Sequence, residues 1–375
     1  MPRVGIDARI SRSWSTGVGI YTLRLVEALC ALAPWHRYFL FTGAQAPPAP
    51  LAADAPVEQR RAPYGVGGLG QHMRLPLMLR SLPVDVLITT HPACAPVWSP
   101  CPRLVFVHDL IPLVLPHYYS AAKRLYYRTA VPWSLRRAAR VLVDSESTRR
   151  DCERLLRLPA ARLRVVYGGP GCRASSNGRH RADEPDRPYV LYVGNKRPHK
   201  NLDRLIEAFA VLLRDEDPGC DLVIAGRDEP GDVETDGQRL RAQARRLGLD
   251  GRVRFAGEVA EEALAPLYAN AEAFVYLSAY EGFGLPPLEA MACGTPVVAL
   301  DASSLREVVG EGGVLLDTAE PAAVARSLRA ILTDRSLRQR LSERALQQAS
   351  KFSWDETARA VAEEIEAALA GRRPA

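Results

Sequence analysis

Short apolar runs, each followed by a turn and an amphipathic stretch, recur along this chain and constrain its fold more than any other feature. Val4-Gly5-Ile6-Asp7 opens the series, and Gly19 to Leu32 then sets Ile20, Leu23, Val26, Ala28 and Leu29 at helical spacing. Arg37 to Phe41, Val84 to Thr89 and Leu104 to Val107 read as strands, the last apolar enough to be buried on both faces. Helices are expected over Lys123 to Arg137 and Ser147 to Arg157, and strands at Val141 to Val143 and Arg164 to Val166. Alternation of this kind predicts a parallel sheet with helices on both faces.

The pattern stops over residues 171–188, a polar stretch without apolar periodicity that reads as a linker. A second series starts at Tyr189 to Val193, with a helix over Asn201 to Arg214 and strands at Asp221 to Ala225 and Arg252 to Phe255. Ala273 to Leu277, Pro296 to Leu300 and Val314 to Leu316 add three more strands, and Trp354 to Leu369 is an amphipathic helix. At 375 residues the chain has room for two domains. The expected fold class is α/β, with two doubly wound Rossmann-like domains facing each other. The boundaries are residues 1–170, a linker over 171–188, residues 189–353, and a terminal helix over 354–375. Ligands bind beyond the carboxyl ends of parallel strands, so the active site is expected in the cleft between the domains.

Composition narrows the class. A hydrophobic fraction of 47% with 25% charged residues fits a globular chain and excludes a disordered or fibrous one. No run of about 18 apolar residues is present, which excludes a spanning helix. The first residues go straight into a strand pattern, so no signal peptide and a cytoplasmic location are expected. The seven cysteines form no C-x-x-C pair and read as buried free thiols. The net charge of +6 hides a division, with 26 Arg and Lys against 13 Asp and Glu in residues 1–187 and 23 against 30 in the rest. A basic first half suits an anionic acceptor or an anionic membrane surface. An Arg-rich coding bias, suggested by only four lysines, accounts for it equally well.

The most specific segment is Ser278 to Val298, S-A-Y-E-G-F-G-L-P-P-L-E-A-M-A-C-G-T-P-V-V. A strand ends, a loop with Gly282 and Gly284 follows, and Pro286-Pro287 opens a helix that Gly294 closes. The amides of Phe283, Gly284 and Leu285 are expected to face an anion, and a diphosphate is the natural occupant. Glu281 in the loop and Glu289, expected in the first helical turn, are eight positions apart and suit paired sugar and ribose hydroxyls.

The second segment runs from Gly194 to Leu202 and crowds Lys196, Arg197 and Lys200 into a strand-to-helix turn. Three cations there call for an anion, with Lys200 as a mobile point charge and Arg197 as a planar fork. The third is Thr16-Gly17-Val18-Gly19, a two-glycine turn; Thr22 stands where a dinucleotide fingerprint needs its last glycine. The fourth is His108, at the carboxyl end of a buried strand beside Asp109.

Together these segments resemble glycosyltransferase family 4, the retaining enzymes of the two-domain GT-B type, over nearly the whole chain. Many members build mannose- or glucose-containing polysaccharides, lipids and natural products. The resemblance implies that Glu281 lies near the transferred sugar's hydroxyls, Glu289 on the ribose, Lys200 on the diphosphate and His108 near the reacting carbon. It implies that Gly17 and Gly19 face the donor phosphates and that Gly257, Glu258 and Val259 meet the base. Many members carry Arg where this chain has Asn195 or His199, and Arg197 is the candidate substitute. The implied reaction is hexose transfer from GDP-mannose or a UDP-hexose to a glycan, lipid-linked or small-molecule acceptor. Retention would come by same-face displacement, with no cofactor, metal or nucleic acid. The resemblance places acceptor contacts around Gly65 to Arg74 and His117 to Arg128. The run from Tyr118 to Arg128 mixes aromatics with cations and suits peripheral membrane contact or a lipid-linked acceptor, and a helix with a solvated basic face accounts for it equally well. The alternatives are a catalytically inactive nucleotide-sugar-binding protein, a nucleotide-sugar epimerase, an inverting transferase, and a pyridoxal-dependent phosphorylase-like enzyme.

Overall fold

A computed structural model describes residues 1–371 apart from 12, 63, 67–69, 83, 173–186, 216 and 228–236. The expected linker at 171–188 falls almost wholly outside the described residues. The chain divides into two compact units, one of Met1–Gly169 together with the residues from Ser353 onward, the other of Pro170–Phe352.

The first unit is built on seven parallel strands: β1 (Arg3–Asp7), β2 (Arg37–Gly43), β3 (Val57–Ala62), β4 (Val86–Thr89), β5 (Arg103–Val107), β6 (Arg140–Val143) and β7 (Leu163–Val165). Their order is β3-β2-β1-β4-β5-β6-β7. Period-two alternation sends Leu104 and Phe106 of β5 into one core and Val105 and Val107 into the opposite one. That is the two-faced burial that its continuous apolar run predicts. The first core is closed by the helix Gly17–Leu32, through Tyr21, Leu25, Val26 and Leu29, and by the helix Trp354–Ala370, through Ala358, Val361 and Ile365. Arg140 and Arg164 pair with Glu364 on that last helix, at 2.9 and 3.0 Å.

Several local expectations change here. The single helix expected over Lys123 to Arg137 is two, Ala121–Arg128 and Ala130–Leu135, broken at Thr129. Pro132 explains the break, because its ring crowds the carbonyl four residues back, that of Arg128, and offers no N–H. Strand β3 is a polar sheet edge, VEQRRA, without the apolar signature used to find the others. The helix Gln71–Ser81 carries Pro76 inside it, which hides it from periodicity.

The second unit holds six parallel strands: β8 (Tyr189–Val193), β9 (Asp221–Ala225), β10 (Val253–Gly257), β11 (Ala273–Tyr276), β12 (Val297–Leu300) and β13 (Gly313–Leu316). Their order is β10-β9-β8-β11-β12-β13. Numbered within the unit this is 3-2-1-4-5-6, the doubly wound order whose crevice opens where connections from β8 and β11 leave in opposite directions. The turns after these two strands therefore carry the candidate site. No helix among the described residues is long and apolar enough to cross a membrane.

Candidate active site

Glycines hold the floor of the site in the second unit. Gly194, Gly226 and Gly257 follow or end β8, β9 and β10, and all have positive φ. Gly226 packs so closely that a Cβ there would lie 2.0 Å from the Gly194 carbonyl oxygen. The turn after β8 continues through Lys196, whose side chain is buried and whose ammonium donates to the Gly226 carbonyl. Pro198–Lys200 forms a single 3-10 turn, and Asn201 then takes a left-handed conformation at φ +53°. The Asn201 side-chain amide donates to the Leu277 carbonyl at 2.8 Å, tying this turn to the end of β11.

Lys200 and Glu281 meet directly. The Lys200 ammonium donates to the Glu281 carboxylate and, at 2.8 Å, to the Tyr276 hydroxyl. Their side chains are only 8% and 13% exposed, so water screens the pair poorly. Lys200 is thus a fixed charge, which corrects the expectation of a mobile one. Burial alone would lift the Glu281 carboxyl, but the Lys200 ammonium outweighs it and holds the group below its usual range. His199, buried beside the same cation, is pushed down to about 4, burial being the larger cause. The Glu281 backbone N–H donates to the Ser303 hydroxyl at 2.8 Å, and the Ser304 hydroxyl donates to the Glu281 and Phe283 carbonyls.

The loop ends at Gly284, whose φ of +110° starts the helix Leu285–Ala292 without any side-chain cap. Glu289 is the fifth residue of that helix, so the expected first-turn position is corrected. It is buried, and its carboxylate accepts from the Tyr268 hydroxyl at 2.8 Å. Tyr268 is itself held through its carbonyl by Thr295 at 2.6 Å. The two glutamates therefore have separate partners. Arg197 precedes the 3-10 turn, half-buried, and Gly257 with the half-buried Val259 flanks an exposed Glu258, which pairs loosely with Arg227 at 3.7 Å. Sequence reasoning missed Tyr276, Tyr268, Ser303, Ser304 and Arg227. None sits in a motif of charge or glycine spacing, and each is found only once the strands are aligned.

Gly17, Gly19 and His108 lie in the first unit. Gly17 and Gly19 belong to the first turn of their helix, capped by Thr16, whose hydroxyl accepts from the Gly19 amide at 3.2 Å. His108 follows β5, with Nδ1 2.8 Å from Asp144 Oδ2 and Nε2 3.0 Å from the Thr90 carbonyl oxygen. Tyr21 meets its ring edge-on at 4.7 Å. Two oxygen acceptors on both ring nitrogens favour the imidazolium. Burial opposes that charge, but Asp144 outweighs it and raises the His108 pKa. The partner is thus Asp144, 36 residues along, whereas the neighbouring Asp109 accepts from the Ile111 amide at 3.0 Å.

Comparison with known proteins adds to this geometry. Residues 15–170 match the family described as Glycosyltransferase Family 4, and residues 177–348 the family Glycosyl transferases group 1. The O-antigen chain mannosyltransferase B of Escherichia coli is 34% identical over 260 residues, 66% of this chain and 66% of that protein. A D-inositol 3-phosphate glycosyltransferase of Salinispora tropica is 37% identical over 198 residues, 51% of this chain and 41% of that one. The chain thus spans just under two thirds of the first relative and less than half of the second. The structure of sucrose-phosphate synthase from Thermosynechococcus elongatus superposes with a TM-score of 0.82 at 22% identity, covering 99% of this chain and 100% of that one. Anabaena Alr3699/HepE, solved with UDP and glucose, gives 0.77 at 22% identity, covering 98% and 99%. These likenesses establish the GT-B fold.

Proposed function

Since this chain belongs to glycosyltransferase family 4, we propose that it moves a hexose from a nucleotide-sugar to a hydroxyl of a glycan, lipid-linked or small-molecule acceptor, with retention of configuration. The observation that carries this reading is the Lys200–Glu281 pair, set at the crevice of the second sheet beside the uncapped helix start at Leu285. In the proposal Glu281 accepts from a hydroxyl of the transferred sugar. Lys200, Arg197 and the amides from Gly282 to Leu285 balance the diphosphate as it leaves. Glu289, steadied by Tyr268, accepts from the ribose, and Gly194, Gly257, Glu258 and Val259 border the base. Within the first unit, Gly17, Gly19 and His108 are proposed as site residues in their own right. A His108 ring nitrogen can reach a sugar only by giving up Thr90 or Asp144.

Retention is proposed without a protein nucleophile, because the carboxylate nearest the work, Glu281, is engaged by Lys200. The bond from the anomeric carbon to the diphosphate breaks while the acceptor oxygen bonds on the same face. A leaving phosphate oxygen takes the acceptor proton. The likeness to the E. coli mannosyltransferase supports GDP-mannose as donor, ahead of a UDP-hexose. No metal or cofactor enters the proposed step, so turnover is expected to persist in EDTA. A cytoplasmic location, at or near a membrane, completes the reading.

The test is a thermal-shift series with GDP, UDP, dTDP, ADP and their sugar conjugates. A ligand at a hundred times its Kd adds about 2.7 kcal/mol to the folded state. A rise with GDP and GDP-mannose alone is expected. A rise with UDP alone reassigns the base, and no rise with any of them overturns the proposal.

A further inference from the structure

We propose that Tyr21, clamped by Trp354, is a positioning residue that fixes the tilt of the His108 ring. The inference rests on the transferase reading, which makes His108 a site residue, and gives a role to an aromatic cluster which that reading leaves unused.

The His108 ring is held on more sides than its hydrogen bonds require. Asp144 and Thr90 take its two nitrogens, and the Thr148 hydroxyl donates to the His108 carbonyl at 3.1 Å. Phe106, two residues earlier on β5, lies nearly parallel to the ring, 15° apart with centroids 5.8 Å distant. Tyr21 crosses it at 64° and 4.7 Å, close to the shortest separation that paired rings adopt. Together these contacts oppose rotation about the last side-chain bond, the soft torsion of a histidine.

Tyr21 is itself fixed. It is 2% exposed, its hydroxyl donates to the Val166 carbonyl at 3.3 Å, and Trp354 meets its ring at 77° and 5.0 Å. The Val166 amide donates to the Val143 carbonyl on β6 at 2.7 Å, which anchors that hydroxyl to the sheet. Trp354 opens the terminal helix, and in the same turn the Thr357 hydroxyl donates to the Tyr167 carbonyl at 2.6 Å. Gly168 and Gly169 let the chain pass against both rings. A Cβ on Gly168 would lie 2.9 Å from Tyr21 Cε2, and one on Gly169 would lie 2.7 Å from Trp354 Cδ1 and 2.8 Å from its backbone nitrogen. The chain leaves the first unit after Gly169 and re-enters it at Ser353, so both crossings are built against the ring that supports His108.

Aliphatic residues would fill this volume as well, but they would not orient an imidazole. Nε2 can turn to a sugar by exchanging Thr90 while Asp144 keeps Nδ1, and the Tyr21 wall keeps the ring in the plane that Asp144 demands. Without the wall the ring is free to tilt off Asp144, and the carboxylate support of its charge weakens. The other titratable groups near the ring do not replace Asp144. The Asp109 carboxylate is turned to the Ile111 amide. His91, after β4, is pushed down to about 3 by burial and then by the His108 and Lys123 charges, and burial keeps the Tyr21 hydroxyl protonated.

The test follows the His108 ring signal in the full chain by nuclear magnetic resonance, assigned by its absence in His108→Gln. In the unsubstituted protein its titration midpoint should lie above the ordinary value of about 6.5. Tyr21→Leu, and separately Trp354→Leu at a half-buried position, should lower that midpoint by about one pH unit, and Tyr21→Phe should restore it. With GDP-mannose as probe, release of GDP should fall about 10–100-fold in the two leucine variants at unchanged KM, and recover in Tyr21→Phe. Thermal melts check that the variants fold. An unmoved midpoint in both leucine variants, whatever stability they lose, makes the cluster ordinary core and overturns the proposal. So does a Tyr21→Phe variant as impaired as Tyr21→Leu, which would give the role to the hydroxyl and Val166. If His108→Gln releases GDP as fast as the unsubstituted protein, the transferase reading of His108 falls, while a lowered midpoint still supports the clamp.

Discussion

Lys200 shows how much a single side chain carries. Its ammonium is fixed by Tyr276 and Glu281, so in the proposed reaction the charge is placed before the donor arrives and needs no reorganisation. Lys200→Met is expected to lower kcat by about 10²–10³-fold, read in steady-state turnover. Lys200→Arg should not restore it, because a planar fork does not fit a pocket built for a compact ammonium. An unchanged kcat in Lys200→Met would remove Lys200 from the site. His199 gives a pH prediction. Its folded pKa, pushed down to about 4, lies below the value of 6.5 it has when unfolded. The unfolded chain therefore takes up the proton first, and stability falls as pH drops from about 6.5 towards 4. His199→Gln should make that decline shallower in urea unfolding at pH 7 and pH 5, and an identical decline would refute the assignment. The sequence made Lys200, Glu281 and His108 legible as charged or polar groups at strand ends. Their partners were not legible. Asp144 is 36 residues from His108 and Tyr276 is 76 from Lys200, and each pair meets only because parallel strands put their carboxyl ends side by side.

Among the elements, the helix Leu285–Ala292 depends on its entry. Gly284 holds φ at +110°, where an added Cβ would also meet Leu305 at 3.0 Å. Gly284→Ala is therefore expected to destabilise the fold by about 1–3 kcal/mol, measured by chemical denaturation. A neutral result would mean that the loop relaxes without strain. Strands β1, β5, β8, β9 and β11 were readable because their buried runs have no polar interruption. The edge strand β3 was not, since one side of an edge meets water and its residues follow no apolar rule. Pro132 is visible in the sequence, yet apolar spacing alone predicts a helix through it. The break at Thr129 follows from the ring's clash with the carbonyl of Arg128, a local rule that overrides the apolar spacing.

Across the molecule, the first unit draws its core from both ends of the described chain. Val361 and Ile365 are fully buried with Val4, Ile6 and Phe106. Ile365→Ala should cost about 2–5 kcal/mol in the unfolding of the first unit, followed by tryptophan fluorescence. A loss near zero would show that the terminal helix only lies against the sheet. The amphipathic spacing of this helix was legible, but the sheet it covers was not, because periodicity marks a buried face without naming what buries it. The return of the chain at Ser353 also bears on how the protein is made. All seven strands of the first sheet are translated before Pro170, whereas a helix that covers one of its faces follows the whole second unit. On the ribosome, where domains fold as units in order of synthesis, the half begun first is the half finished last. Until then its apolar face waits for the helix, a nascent surface for chaperones to shield.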